Sequence, residues 1–228
     1  MTACLCIHGF TGSPNEVMPL VKFIEQNTDW EVSIPTLPGH GENLQLKGIS
    51  YHEWLVYAEK ELEKLLNTHE KVYVIGFSMG GLIASYLTTQ YPVDKLILLS
   101  AAAYYINPRQ LGKDITKIVL DLVKGKQSEN ELYIRYTNKI KNTPLAAAIQ
   151  FRKLVRYVRP KLPEVQIPTF IAQGDSDGIV PLKSAAYLYN TIRAEQKRII
   201  YVKDSKHLIC HSDSSQHLFE EILAFLKV

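Results

Sequence analysis

Apolar residues fall along this chain in two kinds of run, short unbroken ones and longer ones in which they recur every three or four positions. Residues 1–7 are apolar and closed by His8-Gly9, which predicts a buried strand. Ser13-Pro14-Asn15-Glu16 has the spacing of a capping box with proline at the first helical position, and Val17, Leu20, Val21 and Ile24 follow at helical intervals. A short strand is expected at 30–34. Residues 35–50 hold Pro35, Pro38, Gly39, Gly41 and Gly48, so they predict a long loop, which ends in a second capping box from Ser50 to Glu53. A helix over 51–66 then carries Trp54, Ala58, Leu62, Leu65 and Leu66 on one stripe.

Strands are expected at 71–75 and 95–100, with a helix between them that runs to about 91. These runs are apolar without alternation, as strands covered on both faces must be. Strands also fit 169–173 and 197–202, with helices at about 182–192 and 214–226. Strand and helix alternating in this way predict a mostly parallel, doubly wound sheet of about six strands flanked by helices. The pattern breaks between 101 and 161, where helical segments follow one another without a strand; the clearest stripe is Leu111, Ile115, Ile118, Val119, Leu122 and Val123. The expected organisation is therefore an α/β core of residues 1–100 and 162–228, with 101–161 inserted as a small helical cap.

The chain has 228 residues, 46% of them hydrophobic, enough for one α/β domain with an inserted subdomain. No apolar run reaches the roughly 20 residues of a membrane span, and the N-terminus lacks the basic-then-apolar profile of a signal peptide, so the cytoplasm is the expected location. Cys4, Cys6 and Cys210 cannot make a disulfide framework, and without a C-x-x-C they do not suggest zinc. Cys4 and Cys6 lie two apart and share a strand face, as small buried thiols do. The charge is uneven: residues 101–161 carry 13 Lys and Arg against four acids, while the whole chain is only +3. Either that surface is simply solvated, or it faces something anionic, such as a lipid surface, a fatty-acid product or an acidic partner.

Candidate chemistry centres on Gly76-Phe77-Ser78-Met79-Gly80, a G-x-S-x-G motif between the strand at 71–75 and a helix. The chemistry needs a serine on a turn so sharp that its hydroxyl stands clear of the sheet, and glycines keep such a turn uncrowded. A serine hydroxyl needs a base to take its proton, and the base needs an acidic group to orient it. Past the strand ending at 173 comes Gly174-Asp175-Ser176-Asp177-Gly178-Ile179-Val180-Pro181. Asp177, just before the turn, is the candidate acid; its rival Asp175 fits better as a cap on the turn. His207 lies past the last strand and before the last helix, as the base should; His211 and His217 are its neighbours to exclude. Backbone donors for an oxyanion are expected from Met79 N–H and from Phe10 N–H in His8-Gly9-Phe10-Thr11-Gly12, with His8 and His40 as loop organisers. Tyr104, Tyr105, Ile106, Leu145, Ile149 and Leu154, with Phe10 and Ile179, are available to line an acyl pocket, Tyr104, Tyr105, Ile106 and Ile179 foremost.

His8-Gly9-Phe10, the Ser78 turn, Asp177 before Val180-Pro181 and His207 before the last helix together resemble the α/β-hydrolase superfamily, over nearly the whole chain. Leu37-Pro38-Gly39-His40-Gly41, Asn142-Thr143-Pro144 and Ile167-Pro168-Thr169-Phe170 look like its small bacterial carboxylesterases and monoacylglycerol lipases. The resemblance implies Ser78 as nucleophile, Asp177 as acid, His207 as base and the Phe10 and Met79 amides as oxyanion hole. It further implies hydrolysis of short- to medium-chain esters or monoacylglycerols through an acyl-enzyme, with no metal or other cofactor. The expected partners are a small-molecule ester, no nucleic acid, and transiently an anionic lipid against the basic cap. Thioester, carbon–carbon and peptide hydrolysis remain open on the same fold, as does a binding module without catalysis. Many relatives have two antiparallel strands ahead of the HG strand; this sequence starts at that strand.

Overall fold

Strands apolar on both faces need cover on both faces, and that requirement sets the architecture. The computed structural model describes residues 1–104 and 145–228. In them β1 (Thr2–Ile7), β2 (Glu31–Ser33), β3 (Lys71–Phe77), β4 (Lys95–Leu99), β5 (Thr169–Gly174) and β6 (Lys197–Val202) form one sheet. Its order is β2-β1-β3-β4-β5-β6, and every neighbouring pair is parallel. The helices are α1 (Met18–Asn27), α2 (Tyr51–Leu66), α3 (Met79–Gln90), α4 (Leu145–Val158), α5 (Lys183–Thr191) and α6 (Ser215–Lys227).

Successive side chains of a strand point to opposite faces, so each strand contributes to two cores. Ala3, Leu5 and Ile7 of β1, Val72 and Val74 of β3, and Leu96 and Leu98 of β4 pack with α2, α3, α4 and α5. Cys4, Cys6, Tyr73, Ile75, Phe77, Ile97 and Leu99 face the other way, against α1 and α6 through residues such as Leu20, Ile24, Leu218 and Ile222. The three thiols are buried and free; burial pushes Cys4 up to about 12.

The second capping box forms as expected: Glu53 Oε2 accepts the Ser50 amide at 2.8 Å and the Ser50 hydroxyl at 2.9 Å. The first does not. Ser13 makes no side-chain cap, Pro14–Glu16 is a short 3-10 turn, and α1 begins only at Met18. The Glu16 carboxyl group goes instead to the amide of Gly9, a stronger claim on it because that amide is buried and has to be paired. β3 also runs two residues further than expected, to Phe77, because it pairs with β4 up to Phe77↔Leu99.

Of residues 101–161, α4 lies in the helical layer against α2 and α3, with Ala147, Leu154, Val155 and Val158 buried in the same core. Residues 105–144, which include the stripe from Leu111 to Val123 and the motif Asn142-Thr143-Pro144, lie outside the described residues.

The first turn of α3 reaches the end of β1 so closely that a Cβ on Gly80 would meet the carbonyl oxygens of Ile7 and His8. Gly80→Ala is therefore expected to lower the urea unfolding midpoint by the equivalent of about 1–3 kcal/mol, the usual cost of overpacking.

Candidate active site

Ser78 stands between β3 and α3 with φ 54° and ψ −115°, a left-handed backbone that costs a side-chain-bearing residue about 1–3 kcal/mol. Hydrogen bonds on either side hold it there. Its N–H donates to Leu99 O at 2.9 Å, and its carbonyl accepts from the amides of Gly81 and Ala102, each at 3.1 Å. The turn also has no room for a side chain at Gly76, where a Cβ would run into the backbone of Gly80 and Gly81.

His207 comes to this serine from a sequence distance of 129 residues, with Nε2 3.0 Å from Ser78 Oγ. Its Nδ1 is 2.8 Å from Asp177 Oδ2. A carboxylate only accepts, so Nδ1 carries the proton and Nε2 is left to accept from the serine hydroxyl. The ring is 1% exposed and lies against Phe77, with centroids 4.9 Å apart. Asp177 Oδ1 accepts from the amides of Ile179 at 2.8 Å and Val180 at 2.9 Å. Burial pushes the Asp177 carboxyl up, but the His207 charge and hydrogen bond, together with the Val180 and Ile179 amides, outweigh it and hold the group below its usual range.

The loop after β1 passes on the other side. A Cβ on Gly9 would sit 3.1 Å from Ser78 Cβ, so this loop runs close beside the serine and a side chain there would be tight. Phe10 follows directly. Met79 is the first residue of α3, and its N–H has no acceptor one turn back in the helix.

The family model described as serine aminopeptidase, S33 matches residues 2–214. This chain belongs to that family of α/β-hydrolases. A thermostable monoacylglycerol lipase of Bacillus sp. (strain H-257) is 26% identical to it over 97% of this chain and 88% of that one. A carboxylesterase of Bacillus subtilis (strain 168) is 21% identical over 99% and 92%. Among solved structures, one described under LipS and LipT, two metagenome-derived lipolytic enzymes, superposes with a TM-score of 0.81 at 21% identity, covering 99% of this chain and 93% of that one. At that identity the superposition speaks to the fold alone.

The other candidates from the sequence have other partners in this hydrolase. Asp175 is exposed and accepts from the Ser176 hydroxyl at 2.9 Å. His211 donates from Nε2 to Asn15 O at 2.8 Å, and His217 is on the outer face of α6 near Glu221. His8 and His40 are loop organisers: Leu37 N–H donates to His8 Nε2 at 3.0 Å, and His40 Nδ1 lies 3.0 Å from Pro38 O. Ile179 is buried with Ala102 and Val180. Tyr104 packs edge-on to Tyr187 under the Arg159 guanidinium, 4.4 Å from its ring centroid. Leu154 faces the core, whereas Leu145 and Ile149 are exposed. Tyr105 and Ile106 lie outside the described residues. No group of three or more His, Cys, Asp or Glu among the described residues is placed to hold a metal, and no described helix is long and apolar enough to cross a membrane.

Three residues at the site escaped the sequence reading. Gln173 is fully buried, and its Nε2 donates to Asp177 Oδ2 at 2.7 Å, the same oxygen that His207 uses. Phe151 of α4 stacks on Phe10, with centroids 5.2 Å apart and planes 14° from parallel, and packs on Ala102, Ile179 and Val180. Glu16 holds Gly9. Only Glu16 had a sequence signal, and its spacing from Ser13 pointed to a helix cap.

The lowered Asp177 carboxyl favours the folded state above the unfolded value of 3.8, and this contribution is lost as pH falls through the lower folded value. Asp177→Asn should flatten the acid limb: between about pH 6 and about pH 3 its urea midpoint should fall less than that of the wild-type chain.

Proposed function

We propose that this hydrolase cleaves carboxylic esters, with short- to medium-chain acyl groups or monoacylglycerols as substrates, through an acyl-enzyme on Ser78. The carrying observation is the continuous bond path from Asp177 Oδ2 through His207 to Ser78 Oγ, with steps of 2.8 and 3.0 Å. In this reading Ser78 Oγ attacks the ester carbonyl while His207 Nε2 takes its proton, and Asp177 stabilises the imidazolium. The amides of Phe10 and Met79 donate to the oxyanion. His207 then protonates the departing alcohol. Water, deprotonated by the same ring, attacks the acyl-enzyme, and the acid leaves as Ser78 recovers its proton.

The choice of ester rests on the two relatives that span nearly the whole chain, a monoacylglycerol lipase and a carboxylesterase. The apolar ground beside the serine is compatible with it: Phe10, Phe151, Ile179 and Ala102 pack together there and offer an acyl chain no charged partner. The family's own description favours a second reading, peptide hydrolysis from an amino end, which the same serine, histidine and acid would serve.

Ser78→Ala should remove labelling by a fluorophosphonate probe and cut turnover of p-nitrophenyl esters by several orders of magnitude, roughly 10⁴- to 10⁶-fold, with the fold intact by circular dichroism. Substantial residual turnover in that variant would refute the assignment. A chain-length series of p-nitrophenyl esters with monoacylglycerols, run beside aminoacyl p-nitroanilides, separates the two readings; faster cleavage of the anilides would favour the peptidase.

The reading extends to a surface. Arg152, Lys153 and Arg156 are exposed on α4, along with Leu145 and Ile149, which suits transient contact with an anionic lipid surface. The protein should then co-sediment with phosphatidylglycerol-containing vesicles more than with neutral ones, and equal binding to both would dismiss the contact.

A further inference from the structure

The loop after β1 holds a buried carboxyl group to which the mechanism above gives no role. Glu16 is 7% exposed, and its Oε2 accepts a hydrogen bond from Gly9 N–H at 2.8 Å. The loop closes tightly on it, since a Cβ on Gly12 would run into the carboxyl group itself. The Cys210 thiol nearby is pushed up to about 12, chiefly by burial and further by the charge of Glu16.

The next peptide unit is held from its other side. Gly9 O accepts from Gly12 N–H at 3.2 Å and from His8 Nδ1 at 2.9 Å. His8 can donate from Nδ1 because its Nε2 is occupied as the acceptor of Leu37 N–H. In a planar trans peptide the N–H points opposite to the carbonyl, so anchoring Gly9 O also aims Phe10 N–H. Gly9 thus has its own amide tied to Glu16 and its carbonyl tied to His8 and Gly12. Glycine is otherwise the residue most free to turn about its backbone bonds, and here it runs close beside Ser78.

We infer that Glu16 is a positioning residue for the oxyanion hole: it fixes the Gly9 amide so that the following amide, that of Phe10, faces the oxyanion formed at Ser78. This rests on the ester-hydrolase reading of Ser78 and Phe10. A carboxyl acceptor suits the task because the Gly9 amide is buried, and a buried N–H without an acceptor is costly. The effect is exerted only where charge develops, so it belongs to the transition state rather than to substrate binding.

The test uses the full chain with Glu16→Ala, Glu16→Gln and Glu16→Asp, p-nitrophenyl butyrate as substrate, and active sites counted with a fluorophosphonate. Per labelled site, Glu16→Ala should lower kcat about 10- to 100-fold, somewhat less than outright loss of an oxyanion donor, and leave KM within about twofold. Phenylboronic acid, whose tetrahedral adduct on Ser78 places an oxygen in the oxyanion position, should lose affinity in parallel. Glu16→Gln keeps an acceptor in place and should restore most of both. A folded Glu16→Ala with wild-type kcat per labelled site, or one that loses kcat while boronate affinity is unchanged, overturns the inference. Should Glu16→Ala fail to fold, Glu16→Asp decides: it draws the carboxyl group back by one methylene, so the same loss supports the inference and full activity overturns it. Absence of wild-type labelling on Ser78 would instead strike the ester reading itself.

Discussion

How near the first turn of α3 comes to the ends of β1 and β3 controls everything else at the site. Gly80 lies under the carbonyls of Ile7 and His8, and Gly76 lies under the backbone of Gly80 and Gly81, with no space for a Cβ at either. That approach pushes Ser78 into a left-handed conformation and presses the loop from Gly9 against it. The strain at one residue is offset by bonds from its backbone to Leu99, Gly81 and Ala102, which tie the turn to the end of β4 and to the first turn of α3. The parallel sheet contributes the rest of the geometry: the loops after β1, β3, β5 and β6 all leave from the same edge, so residues far apart in sequence can meet.

Burial raises the stakes for every polar group at that edge. A buried carboxyl or imidazole is costly unless it is paired, and a paired one is rigid. Asp177 is paired with His207, Gln173 and two amides, His207 also with Ser78, and Glu16 with Gly9. The same bonds that make burial tolerable also hold these side chains in one orientation.

Much of this could be read along the chain. Unbroken apolar runs located the central strands because both faces of the sheet are covered there, and G-x-S-x-G between a strand and a helix located the turn. Asp177 over Asp175, and His207 over His211 and His217, followed from where each stands relative to a strand end and a turn. What escaped was whatever depended on a partner distant in sequence. Gln173 looked like one more strand residue, and nothing local says that its amide faces Asp177. Phe151 belonged to an amphipathic helix and was no more distinctive than Ile149 until α4 docked on α2 and α3. Glu16 was misassigned because Ser-x-x-Glu is a valid cap pattern, while the acceptor that the chain needs most is the one for the buried amide of Gly9.

The sequence by itself determined the parallel sheet and the turn that carries Ser78, and it singled out the aspartate and the histidine that bond in line with that serine, because each depends on local pattern and on order along the chain. The tertiary structure alone decided that Glu16 serves Gly9 rather than Ser13, that Gln173 shares Asp177 with His207, and that Phe151 of α4 covers Phe10. These are choices among partners. Each is settled by which buried polar or apolar group is nearest once the layers close, and one-dimensional spacing carries no record of that distance.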